Sequence, residues 1–502
     1  MISTCDRFAA GREVRMSTKV IYDLASGVNP YSAEWLSDSE ALPPIYYESG
    51  FFHVLPSVLL MKIFPINVYY AATVVHCVYV IIALLMMFLV VRRLTKSSVL
   101  AALATNLYFY CLAIGDFANV RPDTLCSLCC ILILYLLLRD KEVTFGSVKG
   151  RKLIYVPELD KKSGYYAREW LIAFLCVLLV FLKIHYASII FALFFYYLKK
   201  RRVLPMIGKG IVFAGLGVLI CNLFFPTFFS TFGVRVIEML KGNIEVKSIP
   251  AMWKKWWQLF CIFPVLFVIT VSGIGKFRKF GKDDLGLFFA IHILFNFVAL
   301  CFMGKWPGNG IIYHEVMLMT MLIPASMWLV SSWVKESEKL RFVVEILVIA
   351  SSLFFAFRLE GLPRVDFTSK ETAIISRQKQ IEELDKYASD YMLLSPQLSF
   401  YAFEKGMYQW DYGDQIYIPF DIGTSPRWNF LFPYTNEYRR RCYEYCLQML
   451  QLIEEKKYGL IVTDSYNKPG FKLGLDEEFE KTIEENYELI DEGTLNYYVP
   501  KE

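Results

Sequence analysis

The sequence has 502 residues, 56% hydrophobic and 20% charged, with a positive mean hydropathy and a formal net charge of +5. That balance excludes a soluble globular enzyme and a disordered chain. Because its Lys and Arg sit in short turns between apolar runs, it excludes a nucleic-acid surface as well; the class is an integral membrane protein.

The first 66 residues form a polar opening that carries Asp6, Arg12, Glu13, Arg15 and Lys19. It runs through Gly27-Val28-Asn29-Pro30-Tyr31 and Pro43-Pro44 into the apolar run Phe51–Phe64, which ends at Pro65. That run is too short to cross a bilayer and reads as an interfacial helix. No apolar segment of the signal-peptide type precedes this opening. If it lies outside, a spanning helix ahead of it is expected, so the first span is apparently missing from this sequence.

Apolar segments then follow at about 67–91, 98–114, 122–138, 169–184, 186–198, 204–229, 258–275, 285–303, 316–333 and 342–357. We read them as about ten spans, some short enough to be broken helices. Basic clusters at Arg92-Arg93, 139–168 (eight Lys and Arg), Lys199–Arg202, Lys276–Lys282 and Lys335–Arg341 fall on alternate turns. By the positive-inside bias those turns are cytoplasmic. The first loop, 115–121, the turn near 184–186, 230–257, 304–315 and everything after 358 are then outside. The loop 230–257 runs against the bias with five basic residues, and its Trp253, Trp256 and Trp257 mark an interfacial segment. Nine of the 12 Cys lie in apolar runs. Cys126-x-x-Cys129-Cys130 among them has metal-like spacing but reads as small packing residues.

Residues 358–502 change character. Helix-like and strand-like runs alternate: Ser376–Tyr387, Tyr391–Leu394, Gln397–Lys405, Gln415–Pro419, Asn436–Lys456, Leu460–Thr463, Asp476–Asn486 and Leu489–Val499. This predicts a small C-terminal α/β extracytoplasmic domain with its own core. It contains no nucleotide-binding glycine loop. Asp464, at the end of a strand, reads as a turn residue before it reads as a ligand group.

Ionisable residues gather on the predicted outer side, at or near membrane depth. Asp116 precedes Arg121-Pro122-Asp123, which opens a span. Lys183 and His185 sit at a helix-to-helix corner, and Tyr313, His314 and Glu315 follow the turn Gly308-Asn309-Gly310. Singly, each has a structural explanation: Arg121 snorkels, Asp123 caps its helix and Lys183 ends a span. As a set, charges converging on one side of a bilayer point to a shared anionic-substrate site. Transfer of a sugar from a lipid-phosphate donor is chemistry that needs such a set. Arg and Lys compensate the leaving phosphate, and a carboxylate on the polar loop deprotonates the acceptor hydroxyl.

The ordered motifs resemble a family. The acidic first loop, Gly27-x-Asn29-Pro30-Tyr31, Tyr46-x-x-x-Gly50-Phe51-Phe52-His53-x-Leu55-Pro56, Arg121-Pro122-Asp123-Thr124-Leu125 and Phe181-Leu182-Lys183 look like the polytopic C-type (GT-C) glycosyltransferases. Within these they are most similar to bacterial relatives of the protein-O-mannosyltransferase and aminoarabinose-transferase group, over roughly residues 5–360. The resemblance implies a GT-C-like helical membrane bundle and a polyprenyl-phosphate sugar donor. The acceptor would be a cell-surface polysaccharide, a lipid-linked glycan or a protein. It implies Glu13 as the catalytic carboxylate, with Asp6 the alternate. Arg121 and Lys183 would bind the donor phosphate, Asp123 would orient Arg121, and His185, Tyr313, His314 and Glu315 would line the donor or acceptor. The family's adjacent acidic pair is absent around Glu13. No cofactor and no metal are expected, although Asp6, Glu13, Asp116 and Asp123 offer oxygen ligands should a divalent ion be used. The partners implied are the lipid donor, the acceptor and membrane lipids, with no nucleic acid. No Asn-x-Ser/Thr sequon occurs, which favours a bacterial inner membrane over a secretory pathway. The competing classes are a polytopic lipid or sugar transporter or flippase, for which intramembrane charges are equally expected, and a non-catalytic membrane assembly subunit.

Overall fold

The structure is a computed structural model. It describes residues 12–29, 31–32, 51–115, 122–144, 158–229, 284–302, 311–339, 341–346, 349–350, 381–382, 384–387, 392–395, 398, 401–402, 405, 435–464, 475–491 and 495–502. The described part is mostly helical, with one small mixed sheet.

The polar opening contains a helix, α1 (Arg12–Ala25), where the sequence reading had only a loop. The signal lay in Val20, Ile21 and Leu24, which recur at helical spacing and turn inward; Val20 and Ile21 are fully buried. Next comes α2 (Leu55–Ile63), with Pro56 in its first turn and a single 3-10 turn at Phe51–His53 before it. The expected interfacial run is thus a short helix with Pro in its first turn, where the missing N–H costs nothing.

Helix α3 (Val68–Thr95) is 28 residues long, about 42 Å at 1.5 Å per residue. Asn67 caps its start by accepting from Tyr69 N–H at 2.8 Å. Its end is closed by Lys96 in the left-handed region, with Arg92 and Arg93 placed against the negative end of the helix dipole. Then follow α4 (Ser98–Gly115), α5 (Asp123–Thr144), α6 (Glu158–Leu182), α7 (Ser188–Lys199), α8 (Val203–Phe224), α9 (Asp284–Phe302) and α10 (Ile311–Glu336). These occupy eight of the expected apolar segments; 258–275 and most of 342–357 lie outside the described residues. By length and apolarity alone, α3 and α8 are long enough to cross a membrane, and the other apolar stretches are shorter. The bundle packs α3 against α4, α5 and α10, α6 against α8, and α7 against α9 around one apolar core. Cys126, Cys129 and Cys130 are buried in that core.

Toward the C-terminus, β1 (Met392–Leu393), α11 (Thr435–Glu454), β2 (Leu460–Asp464), α12 (Asp476–Asn486), β3 (Tyr487–Asp491) and β4 (Leu495–Pro500) build a four-stranded sheet ordered β1-β2-β4-β3. Strands β1 and β2 are parallel, and the others pair antiparallel. The expected run Leu489–Val499 is therefore two paired strands. Strand alternation sends side chains to two faces. Leu393, Ile461 and Tyr487 pack with α11 and α12. Met392, Leu460, Val462 and Leu495 join a different cluster, which also holds Val20 and Ile21 of α1, Tyr31, Phe51, Val54 and Val58 of the opening segment, and Phe181, Cys221 and Phe228 of the bundle. The opening segment is thus the layer between the sheet and one end of the bundle.

Candidate active site

The Gly27–Tyr31 motif is a docking device. Gly27 adopts φ +89, a left-handed conformation that suits glycine. The turn lets Asn29 Nδ2 donate to the Phe224 carbonyl at 2.5 Å, at the C-terminus of α8, while its Oδ1 accepts from Tyr31 N–H at 3.0 Å. Thr227 N–H donates to the Tyr31 carbonyl at 3.1 Å, and the Tyr31 ring lies 4.9 Å from Phe51. Phe52 in turn meets Phe181 edge-on at 5.9 Å. Phe181 is one residue short of the end of α6, so the Phe-Phe-His segment rests on the helix end from which Lys183 emerges.

At that end the chain leaves helical geometry. Lys183 is extended, the 3-10 turn Ile184–Ala187 follows, and α7 starts at Ser188. The break lets the Lys183 Nζ reach both oxygens of Asp123, 60 residues away, at 2.8 Å each. Asp123 is the first residue of α5 and only 1% exposed. Its carboxylate also lies 3.2 Å from the Tyr186 hydroxyl, which donates to it, and it gains from the positive end of the α5 dipole. Ser127, one turn further along α5, places its hydroxyl 3.4 Å from that of Tyr186. The result is a largely buried, charge-assisted cluster of Asp123, Lys183, Tyr186 and Ser127.

The remaining candidate positions can be placed by backbone. Lys199 at the end of α7 pairs with Asp284 at the start of α9, at 2.8 Å. Ser188 at the start of α7 bonds Asn296 in the second half of α9. Helix α9 therefore runs toward the Lys183 end, and Tyr313, His314 and Glu315, in the first turns of α10, open at that same end. Backbone placement puts Glu13 in the first turn of α1, whose Val20 and Ile21 share a cluster with Phe181. His185 lies in the 3-10 turn. The side chains of Glu13, His185, Tyr313, His314 and Glu315, and all of Asp6 and Arg121, lie outside the described residues. Arg121 immediately precedes Pro122, which opens the first turn of α5. Among the described residues no three His, Cys, Asp or Glu gather as a metal site requires.

Sequence reasoning did not single out Tyr186 and Ser127. Ser127 stands four residues after Asp123 on α5 and so shares its face, whereas Tyr186 reaches the cluster from the 3-10 turn that follows the extended Lys183. For Ser127 that spacing was the available signal. The described geometry joins Asp123 to Lys183, whereas the expectation had Asp123 orienting Arg121.

No protein-family model matches the chain, and no curated protein does. Among solved structures, the chain is similar to the crystal structure of ArnT from Cupriavidus metallidurans bound to undecaprenyl phosphate, at 11% identity with a TM-score of 0.47. The match covers 97% of this chain and 93% of that one. The apo state of the same protein gives 12% identity and a TM-score of 0.45 over the same shares.

Proposed function

We propose that the chain is an integral membrane glycosyltransferase that moves a sugar from a polyprenyl-phosphate donor to an extracytoplasmic acceptor. The observation that carries this reading is the Asp123–Lys183 pair. A lysine ammonium stands at a helix end beside a buried carboxylate, at the end of the bundle where the first-loop helix also lies. An ion pair buried in a bilayer is costly to build, and packing alone does not require one. Lys183 keeps 14% of its side chain exposed, so a phosphate oxygen can approach the ammonium while Asp123 and Tyr186 hold it in place.

In the proposed reaction a first-loop carboxylate, Glu13 or Asp6, takes the proton of the acceptor hydroxyl. The acceptor oxygen attacks the anomeric carbon from the face opposite the phosphate. The bond between that carbon and the phosphate oxygen breaks, polyprenyl phosphate leaves with the electron pair, and the sugar inverts. Lys183 and Arg121 neutralise the phosphate charge as it develops. His185, Tyr313, His314 and Glu315 line the sugar or the acceptor. The site and the C-terminal α/β unit face outward from a bacterial inner membrane. The acceptor class we favour is a surface polysaccharide.

The test is transfer of radiolabelled sugar from polyprenyl-phosphate donors into a membrane lipid extract. Wild type is compared with Glu13→Gln, Arg121→Ala and Lys183→Ala. Loss of transfer in all three, with the proteins folded, supports the reading. Loss only in Arg121→Ala and Lys183→Ala moves the base to Asp6. No transfer from any donor, together with lipid-dependent movement of label across vesicles, replaces the transferase with a flippase.

A further inference from the structure

Between α7 and α9 lies a second polar cluster that the transferase chemistry does not use. The Ser188 hydroxyl donates to Asn296 Oδ1 at 2.5 Å, and Asn296 Nδ2 lies 2.8 Å from His292 Nε2. Asn296 and His292 are fully buried, and Ser188 is 7% exposed. His292 also lies beside the Ser188 backbone, and the Phe288 ring stacks parallel to the imidazole. Helices α7 and α9 already meet through stacked apolar rings, Phe191 on Phe295 at 4.9 Å. Three polar side chains in such a seam add desolvation cost that apolar packing would avoid.

Their place in the chain suggests what they do. Ser188 is the first residue of α7, directly after the turn that carries Lys183, His185 and Tyr186. Its N–H donates to the Tyr186 carbonyl, and the Tyr186 hydroxyl donates to Asp123, which holds Lys183. A continuous line of contacts therefore joins His292 in α9 to the ammonium, through Asn296, Ser188, Tyr186 and Asp123. The turn itself is a single 3-10 turn beside an extended residue, a form with poorer hydrogen-bond geometry than an α-helix.

We propose that His292, Asn296 and Ser188 are positioning residues: they anchor the 3-10 turn so that Lys183 meets the phosphate of a lipid donor in one orientation. This rests on the reading of Lys183 as the phosphate-binding cation. Without the anchor the turn keeps its place in the fold but loses its register against α5. A misplacement of that kind at a binding group costs affinity more than it costs stability.

The experiment measures binding of farnesyl phosphate to the purified full chain in lipid nanodiscs, alongside the unfolding temperature. Ser188→Ala, Asn296→Leu, Ser188→Thr and Lys183→Ala are compared with wild type. Ser188→Ala and Asn296→Leu are expected to weaken farnesyl phosphate binding about tenfold, the scale of one hydrogen bond near a charge, together with a fall in unfolding temperature because each leaves a buried partner without its hydrogen bond. Ser188→Thr, which retains the hydroxyl, is expected to bind as wild type does. Should Asn296→Leu fail to fold, Ser188→Ala carries the test, since it removes a single oxygen. Unchanged binding in Ser188→Ala with binding lost in Lys183→Ala overturns the positioning role and leaves the phosphate role of Lys183 standing. Unchanged binding in Lys183→Ala overturns both. A fall in unfolding temperature with unchanged affinity assigns the cluster to packing alone.

Discussion

Replacing Lys183 by Met separates what the Asp123–Lys183 pair does for the fold from what it does for a donor. Asp123 is 1% exposed, so removing the ammonium leaves a carboxylate that water cannot reach. Removing one partner of a buried pair typically costs about 3–5 kcal/mol. Two compensations remain: the Tyr186 hydroxyl at 3.2 Å and the N-terminus of α5, the latter worth up to about 2 kcal/mol in a partly buried setting. The expected loss for Lys183→Met is therefore about 3 kcal/mol, at the lower end of that range. Asp123→Asn is expected to cost less, about 1–2 kcal/mol, because Lys183 is 14% exposed and can turn toward water. The double variant removes both charges and is expected to come within about 1 kcal/mol of wild type, leaving a coupling of about 3 kcal/mol between the sites, the upper end of the range for contacting residues. The assay is a double-mutant cycle on reversible unfolding in mixed micelles, followed by Trp fluorescence. Donor binding measured on the same four proteins completes it. The double variant should be nearly as stable as wild type and still fail to bind a polyprenyl phosphate. If the two single losses simply add, or if Lys183→Met is within about 0.5 kcal/mol of wild type, the size of an ordinary surface substitution, the pair is not the buried element described.

Four further outcomes follow from local geometry. A Cβ at Gly217 would sit 3.0 Å from Phe181 Cζ, and Phe181 is already packed against Phe52, Phe228 and Phe229. Gly217→Ala should therefore destabilise by about 1–3 kcal/mol, whereas Gly208→Ala and Gly215→Ala, which meet open space, should stabilise by about 0.5–1 kcal/mol in the same unfolding assay. Glu169 is 2% exposed and sits between Arg202, at 2.9 Å, and Lys209; Glu169→Gln leaves two cations facing an uncharged amide and should cost about 3–5 kcal/mol, partly recovered by adding Lys209→Met. For pH, Lys405 and Tyr401 donate to Asp385 at 2.7 Å each, and the Lys405 bond first, then that of Tyr401, holds its carboxyl below the ordinary 3.8. A depressed carboxylate stabilises above its unfolded value and loses that contribution as pH falls through the folded one, so Asp385→Asn should flatten the acid limb of a stability profile below about pH 4. Asp23 has the opposite sign: burial pushes its carboxyl up despite Lys19, so its share of stability rises as pH falls from its folded value toward 3.8, and Asp23→Asn should remove that rise.

Among the described residues, helices were legible where an apolar run was long. The segments expected at 67–91, 98–114 and 204–229 became α3, α4 and α8, because Leu, Ile, Val and Phe outnumber every competing signal there. The C-terminal alternation was legible for a related reason: β2 is Leu-Ile-Val-Thr-Asp, a β-branched run bounded by turn residues. Helix α1 was not read, since Ser17 and Thr18 are buried among its apolar residues and dilute the stripe that period-counting looks for. The site was legible as a set of residue types and not as a set of contacts. Nothing in a sequence says that position 183 will meet position 123; that depends on the break after Leu182, where the chain goes extended for one residue and lets the side chain reach across.

That break joins the separately read motifs. Asn29 bonds the end of α8, Phe52 packs on the end of α6, Asp123 opens α5, and Lys183 follows the close of α6. Each lies at a helix terminus, where backbone groups lack intrahelical partners and a side chain, a turn or a ligand must supply them. Their order along the chain looked like scattered loop signatures because helices of alternating direction separate them. In space they occupy one end of the bundle, under the sheet face formed by Met392, Leu460, Val462 and Leu495. First-loop residues Val20, Ile21, Tyr31 and Phe51 pack in one cluster with that sheet face and with Phe181 and Phe228 of the helical part. Under the proposed function, this is where a donor with a charged head and an apolar tail would place its head, at the helix ends beside Lys183.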